Sequence, residues 1–118
     1  MNISQTDEFK KDFKRLSKKY PTLEKDFEIL TSAIRAEPKG DGTKHWNLIK
    51  SIDEKHILKV RMMCRSVRRA DFRVIYMFDG ENFELLFIEM YFKGDKENND
   101  KSRIDAIVKF ITNHDPSI

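Results

Sequence analysis

The sequence predicts an α+β fold: a twisted antiparallel β-sheet with an N-terminal helical hairpin packed on one face and a C-terminal helix. Three observations predict it. Up to Ile34 the apolar residues recur every three or four positions, the spacing of a buried helix stripe. Between His56 and Phe92 they alternate or run unbroken, as strands do. From Lys101 the helical spacing returns. A chain of 118 residues is one domain's worth, so residues 1–118 are expected to form a single domain around one modest core.

Each element has its own signal. Met1–Gln5 reads as a short first strand. Phe9, Phe13, Leu16 and Tyr20 make one helical stripe, and Leu23, Phe27, Leu30 and Ile34 a second. Pro21 lacks the amide proton a continuous helix would use, so the two stripes form a hairpin. Thr22 is expected to cap the second helix by accepting from its first turn. Glu37-Pro38 ends that helix, and Pro38–Gly42 is a loop. Asp53 and Glu54 fall in the turn before a strand over His56–Cys64. There Leu58, Val60, Met62 and Cys64 alternate with Ile57, Lys59, Arg61 and Met63. A second strand, Phe72–Phe78, alternates Phe72, Val74, Tyr76 and Phe78 with Arg73, Ile75 and Met77. Asp79-Gly80-Glu81-Asn82 is a hairpin turn. Phe83–Phe92 is apolar at nearly every position, as in a strand covered on both faces. A polar loop, Gly94–Asp100, leads to a helix over Lys101–Asn113. Asp100 is its cap and Ile104, Ile107, Val108 and Ile111 its stripe.

Composition removes several function classes. Apolar residues make up 39% and charged residues 36%, and nine Phe argue for a packed interior. No run approaches the roughly 20 apolar residues of a membrane helix, so no membrane role is expected. Residues 1–10 mix acids and bases without an apolar stretch, so no signal peptide is expected. Cys64 is the lone cysteine, expected as a small packed hydrophobe. His45, His56 and His114 have no ligand-like partners, so neither a disulfide nor a metal site is expected. Gly40, Gly42 and Lys44 lack the strand–loop–helix frame of a phosphate loop. No cofactor is expected, and the reducing cytoplasm is the expected location.

Net charge is only +3, but its distribution is uneven. Lys10, Lys11, Lys14, Arg15, Lys18 and Lys19 cluster on the first helix and read as a solvated face. Lys59, Arg61, Arg65, Arg68, Arg69 and Arg73 cluster on and between strands, where Lys and Arg are poor fillers. With Leu58, Val60 and Met62 turned toward the helices, Lys59 and Arg61 face the other way. Arg73 joins them from the neighbouring strand. Three cations on one sheet face repel each other unless an anion sits among them, which suggests a phosphate site. The other open reading is an exposed strand face charged to discourage aggregation.

The stretches Ile57-Leu58-Lys59-Val60-Arg61, Asp71-Phe72-Arg73-Val74-Ile75-Tyr76 and Phe87-Ile88-Glu89-Met90-Tyr91-Phe92-Lys93-Gly94-Asp95-Lys96 resemble the RelE/ParE superfamily of toxin–antitoxin toxins. The order is a K-x-R strand, an R-V-I-Y strand and a last strand ending in aromatic-x-K, after a helical hairpin. The resemblance implies a type II toxin, a ribosome-dependent mRNA endonuclease without a metal. Its partners would be a cognate antitoxin, the ribosome and mRNA. It implies catalytic roles for Lys59, Arg73 and Lys93. Arg61 from the same basic cluster and Tyr91, which could substitute by geometry for a missing family residue, complete the expected catalytic set, and Arg65, Arg68, Arg69 and Lys96 are expected to bind RNA. The chain departs from RelE at Ile57, where RelE has a further lysine, and at Gly94-Asp95, where RelE carries an arginine. Near Asp100, RelE has a tyrosine. A ParE-like gyrase inhibitor without nuclease chemistry, or an inactive relic of the fold, are the alternatives. The basic residues Lys59, Arg61, Arg73 and Lys93 favour the nuclease.

Overall fold

The computed structural model describes residues 1–67 and 69–114. The elements run β1 (Asn2–Gln5), α1 (Asp7–Lys19), α2 (Leu23–Ala36), β2 (Trp46–Ile52), β3 (Lys55–Cys64), β4 (Arg69–Asp79), β5 (Glu84–Phe92) and α3 (Lys101–His114). They form an α+β fold around one sheet of order β1-β5-β4-β3-β2. The expected sheet was wholly antiparallel; the observed one is mixed, because β1 runs parallel to β5. β1 lies against β5, far from it in sequence, and so is not the arm of a hairpin, the connection that enforces antiparallel pairing.

β2 was not expected from the sequence. It pairs with β3, but its register slips between Leu48 and Lys50, and that irregularity breaks the alternation by which a strand is recognised. The Asp53-Glu54 turn holds Asp53 at φ 53°, a left-handed conformation that Asp tolerates better than most residues.

α1 and α2 cover one face of the sheet. Phe9, Leu16, Leu23, Leu30 and Ile34 pack there on Leu58, Val60, Met62, Phe72, Val74 and Phe87. The rings of Phe9, Phe27 and Phe87 meet at 4.8–5.5 Å. Each fully buried Phe contributes on the order of 1.5–3 kcal/mol. Cys64 is buried in this core. Trp46 donates to the Tyr76 hydroxyl at 3.1 Å, and that hydroxyl donates to Pro38 O at 2.7 Å. Burial pushes the Tyr76 phenol up to about 12.

Thr22 sits at the start of α2, but its side chain accepts nothing from the first turn. Its hydroxyl instead donates to Asp26 Oδ2 at 2.8 Å and meets Ser66 Oγ at 2.7 Å. The helix start is thereby tied to the β3–β4 connection. The expected cap at Asp100 is present: Asp100 Oδ1 accepts from Ser102 N at 3.0 Å.

α3 packs on the opposite sheet face, where Ile104 meets Ile57, Ile75 and Ile88. β5 carries an extra residue there: Tyr76 pairs with Phe87, but Ile75 pairs with Glu89. Ile88 is therefore a bulge, so that Ile88 and Glu89 both turn to the α3 face. Among the described residues no strand lies beside β5 on its β1 side beyond Phe87, and side chains take over its edge. Ile88 O accepts from Thr6 Oγ1 at 3.3 Å, and Met90 N donates to Asp12 Oδ2 at 3.2 Å. Arg103 of α3 reaches round that edge to Asp12 of α1, donating from Nη1 at 2.6 Å and Nη2 at 3.0 Å. The clasp joins the two layers past an otherwise open strand.

Candidate functional site

The α3-facing side of the sheet is divided in two. Near one end, isoleucines pack under α3. Toward the β3–β4 connection the same face carries charge. Arg61 stands opposite Arg73, and Lys59 opposite Ile75. Arg73 in turn stands opposite Tyr91, and Ile75 opposite Glu89. Directly opposed residues hold their Cβ atoms about 4.5–5.5 Å apart. Lys59, Arg61 and Arg73 therefore share one face, as the period-two alternation predicted, and Tyr91 joins them. The bulge at Ile88 brings Glu89 onto the same face while Met90 and Phe92 return to the hairpin core.

The site is not a bare strand surface. Arg73 is 8% exposed and Tyr91 4%, while Lys59 and Arg61 are half-buried. Arg73 Nη1 donates to Phe72 O at 3.1 Å. Burial and the neighbouring Arg61 lower the Arg73 pKa, with Tyr91 and Asp71 acting the other way. Burial lowers Lys59 too, helped by Arg73 and Lys93 and opposed by Glu89. Burial, then Glu89, raises the Tyr91 phenol against the pull of Arg73. Tyr91 is thus held protonated at neutral pH, beside cations whose charge is crowded.

Lys93 is exposed at the rim, its backbone N–H bound to Asp71 O at 2.7 Å. Lys96 lies 5.4 Å from the Tyr91 ring centre and pairs with the buried carboxylate of Glu89. Its charge is already matched. Arg65 lies apart, at the end of β3, where its Nε donates to Asp26 Oδ1 at 2.7 Å. Arg61 and Arg65 both border an apolar hollow of about 250 Å³ against α2, with Ile29 and Met63. Arg69 opens β4, and Arg68 lies outside the described residues. The structure therefore brings together Lys59, Arg61, Arg73, Tyr91 and, through its field at Lys59, Lys93. It ties Arg65 and Lys96 to carboxylates.

Sequence reasoning missed two residues here. Glu89 was visible only as the one acid interrupting the apolar run from Leu85 to Phe92. Asn98 had no signal, yet its Oδ1 accepts from Lys59 Nζ at 2.8 Å. A cavity of about 760 Å³ lies at the other end of the face, lined by Lys55, Met77, Asp79, Leu86, Ile107 and Phe110. It contains none of the expected site residues. Among the described residues no helix is long and apolar enough to cross a membrane.

Two guanidiniums and an ammonium on one partly desolvated face suit the non-bridging oxygens of a phosphodiester. A protonated phenol beside them can donate to a leaving oxygen.

No family model and no curated protein matches the sequence. Among solved structures, a chain of the archaeal RelE–RelB complex from Pyrococcus horikoshii OT3 is similar, with a TM-score of 0.58 at 14% identity. The match covers 79% of this chain and 94% of that chain. At that identity the likeness is one of fold, and the fold is RelE-like.

Proposed function

We propose that this RelE-like chain is the toxin of a type II toxin–antitoxin pair, acting in the cytoplasm as a ribosome-dependent mRNA endonuclease that inhibits translation. The observation that carries the reading is the shared face of Lys59, Arg61, Arg73 and Tyr91, with Lys93 at its rim. In the reaction, the 2′-hydroxyl of one nucleotide gives up its proton to water and attacks the adjacent phosphorus, and the bond to the 5′-oxygen breaks. A cyclic phosphate and a free 5′-hydroxyl result. Arg61 and Arg73 hold the non-bridging oxygens, and Lys59 adds a third positive centre as negative charge grows on the phosphorane. A preorganised donor of this kind is typically worth about 10²–10³ in rate. Tyr91 gives its proton to the departing 5′-oxygen. The antitoxin partner is inferred from the similar RelE–RelB complex, and a partner segment carrying carboxylates would suit the cationic face.

Purified protein added to translating ribosomes is expected to cut the mRNA, read by mapping the new 5′ ends. Expression in a growing culture should arrest growth, and co-expression of the partner should relieve it. Arrest with intact mRNA and inhibited DNA gyrase would instead assign the ParE-like function. Unimpaired growth with well-folded protein would mark a relic.

A further inference from the structure

Lys59 carries a flexible side chain, yet its ammonium is anchored. Lys59 Nζ donates to Asn98 Oδ1 at 2.8 Å. The same oxygen accepts from Asn99 N–H at 2.9 Å. A backbone N–H can only donate, so it fixes which end of the Asn98 amide faces the lysine. The segment around Asn98 is itself pinned on both sides by Glu89, which is 1% exposed. One carboxylate oxygen of Glu89 takes the Lys96 ammonium. The other accepts from Asp100 N–H at 2.8 Å.

The loop thus treats its two nearby lysines differently. Lys96 receives a carboxylate and is neutralised. Lys59 receives a neutral amide oxygen, which uses one of its three N–H groups and leaves the charge and the other two available. We propose that Asn98 is the positioning residue for Lys59, holding the ammonium in place with its charge intact for a phosphate of the RNA. The proposal rests on the nuclease reading. Its physical basis is that a misplacement of about 1 Å at a reacting centre can cost roughly 10²-fold in rate.

The charged groups facing Lys59 are Arg73 from β4, Glu89 from β5 and Lys93 from the segment after β5; Asn47, opposite it on β2, is uncharged. Their sum favours losing the proton, so an added carboxylate at Asn98 is a sensitive probe. The test uses full-length protein with isotopically labelled lysine. The Lys59 resonance is identified by its loss in Lys59→Arg, and its titration is followed by NMR. Asn98→Asp is expected to raise the Lys59 pKa by about one unit or more, the usual effect of an opposite charge at this range. Cleavage by Asn98→Asp should fall, with the alkaline limb of its pH profile moved upward. Asn98→Ala should lower kcat by roughly ten- to a hundredfold with KM nearly unchanged, by loss of orientation alone. A Lys59 titration identical in Asn98→Asp and the parent protein would overturn the contact. Unchanged kcat in Asn98→Ala would overturn the positioning role. A parent protein that cuts no mRNA would sink the nuclease reading instead, and the NMR titration would still decide whether Asn98 holds Lys59.

Discussion

Arg73 combines burial with charge, and the two make separable demands. Arg73→Ala is expected to lower kcat by about 10²–10³ while the protein stays folded, because a preorganised donor is lost at the developing charge. Arg73→Lys should recover only part, since an ammonium lacks the planar fork that grips two oxygens. Kinetics with a thermal melt check both. Unchanged cleavage would remove Arg73 from the site, and failure to fold would make it a packing residue. Asp26 poses a similar question about stability. Burial works to raise its pKa and is outweighed by hydrogen bonds from Arg65, Thr22, the Arg65 amide and Cys64, so its carboxyl titrates below the ordinary 3.8. A depressed folded-state pKa stabilises the protein above the unfolded value, and the gain is lost as pH falls from 3.8 through the folded value. Asp26→Asn is therefore expected to destabilise by about 1–3 kcal/mol at neutral pH and to shed part of the acid sensitivity. Urea unfolding at pH 7 and pH 3 measures it.

Among the elements, the clasp between α1 and α3 makes the strongest claim. Asp12 is 6% exposed, and Arg103 is its bidentate partner. The hydrogen bonding of Arg103 to Asp12 leads the effects that raise the Arg103 pKa, against the cost of burial. Arg103→Leu strands a buried carboxylate and is expected to lose roughly 3–5 kcal/mol, while Asp12→Leu with Arg103→Leu together should lose clearly less. A denaturation series on the single and double variants checks it, and additive losses would deny the coupling. What the sequence made legible at this scale was whatever repeats regularly. Phe9 to Ile34 announced both helices, and the alternation about Leu58 and Val74 placed Lys59, Arg61 and Arg73 on one face. Trp46–Ile52 escaped because its irregular register spoils the period. The parallel pairing of Asn2–Gln5 escaped because its partner lies some 80 residues on. Glu89, Asn98 and Lys59 are joined only by the fold, and no local pattern links them.

Across the whole molecule, the basic group of α1 lies on the other side of the sheet from Lys59, Arg61 and Arg73. Lys10, Lys11, Lys14, Arg15, Lys18 and Lys19 are all exposed on the hairpin layer, across the sheet from Lys59. Charges placed so cannot join Lys59, Arg61 and Arg73 on one phosphate, and any attraction they add for RNA is screened by salt. Lys14→Glu with Lys18→Glu is expected to leave cleavage at saturating protein unchanged. Any effect should fall on ribosome association, weakening it and flattening its dependence on salt. Titrations at several salt concentrations give the slopes. Equal slopes would reduce this helix to a solvated surface, and a lost maximal rate with binding intact would mean the division of labour is wrong.

The bulge at Ile88 also bears on how the gene can change length. A strand that loses one residue normally turns every later side chain to the wrong face. Here Phe87 and Glu89 already sit against consecutive residues of β4, so removing codon 88 would splice two in-phase halves. The shortened chain would forfeit what Ile88 buries and accepts, but Glu89, Tyr91 and Phe92 would keep their sides. The loss of codon 86 has no such refuge. Among single-codon deletions in β5, position 88 is where a viable, shorter descendant is expected.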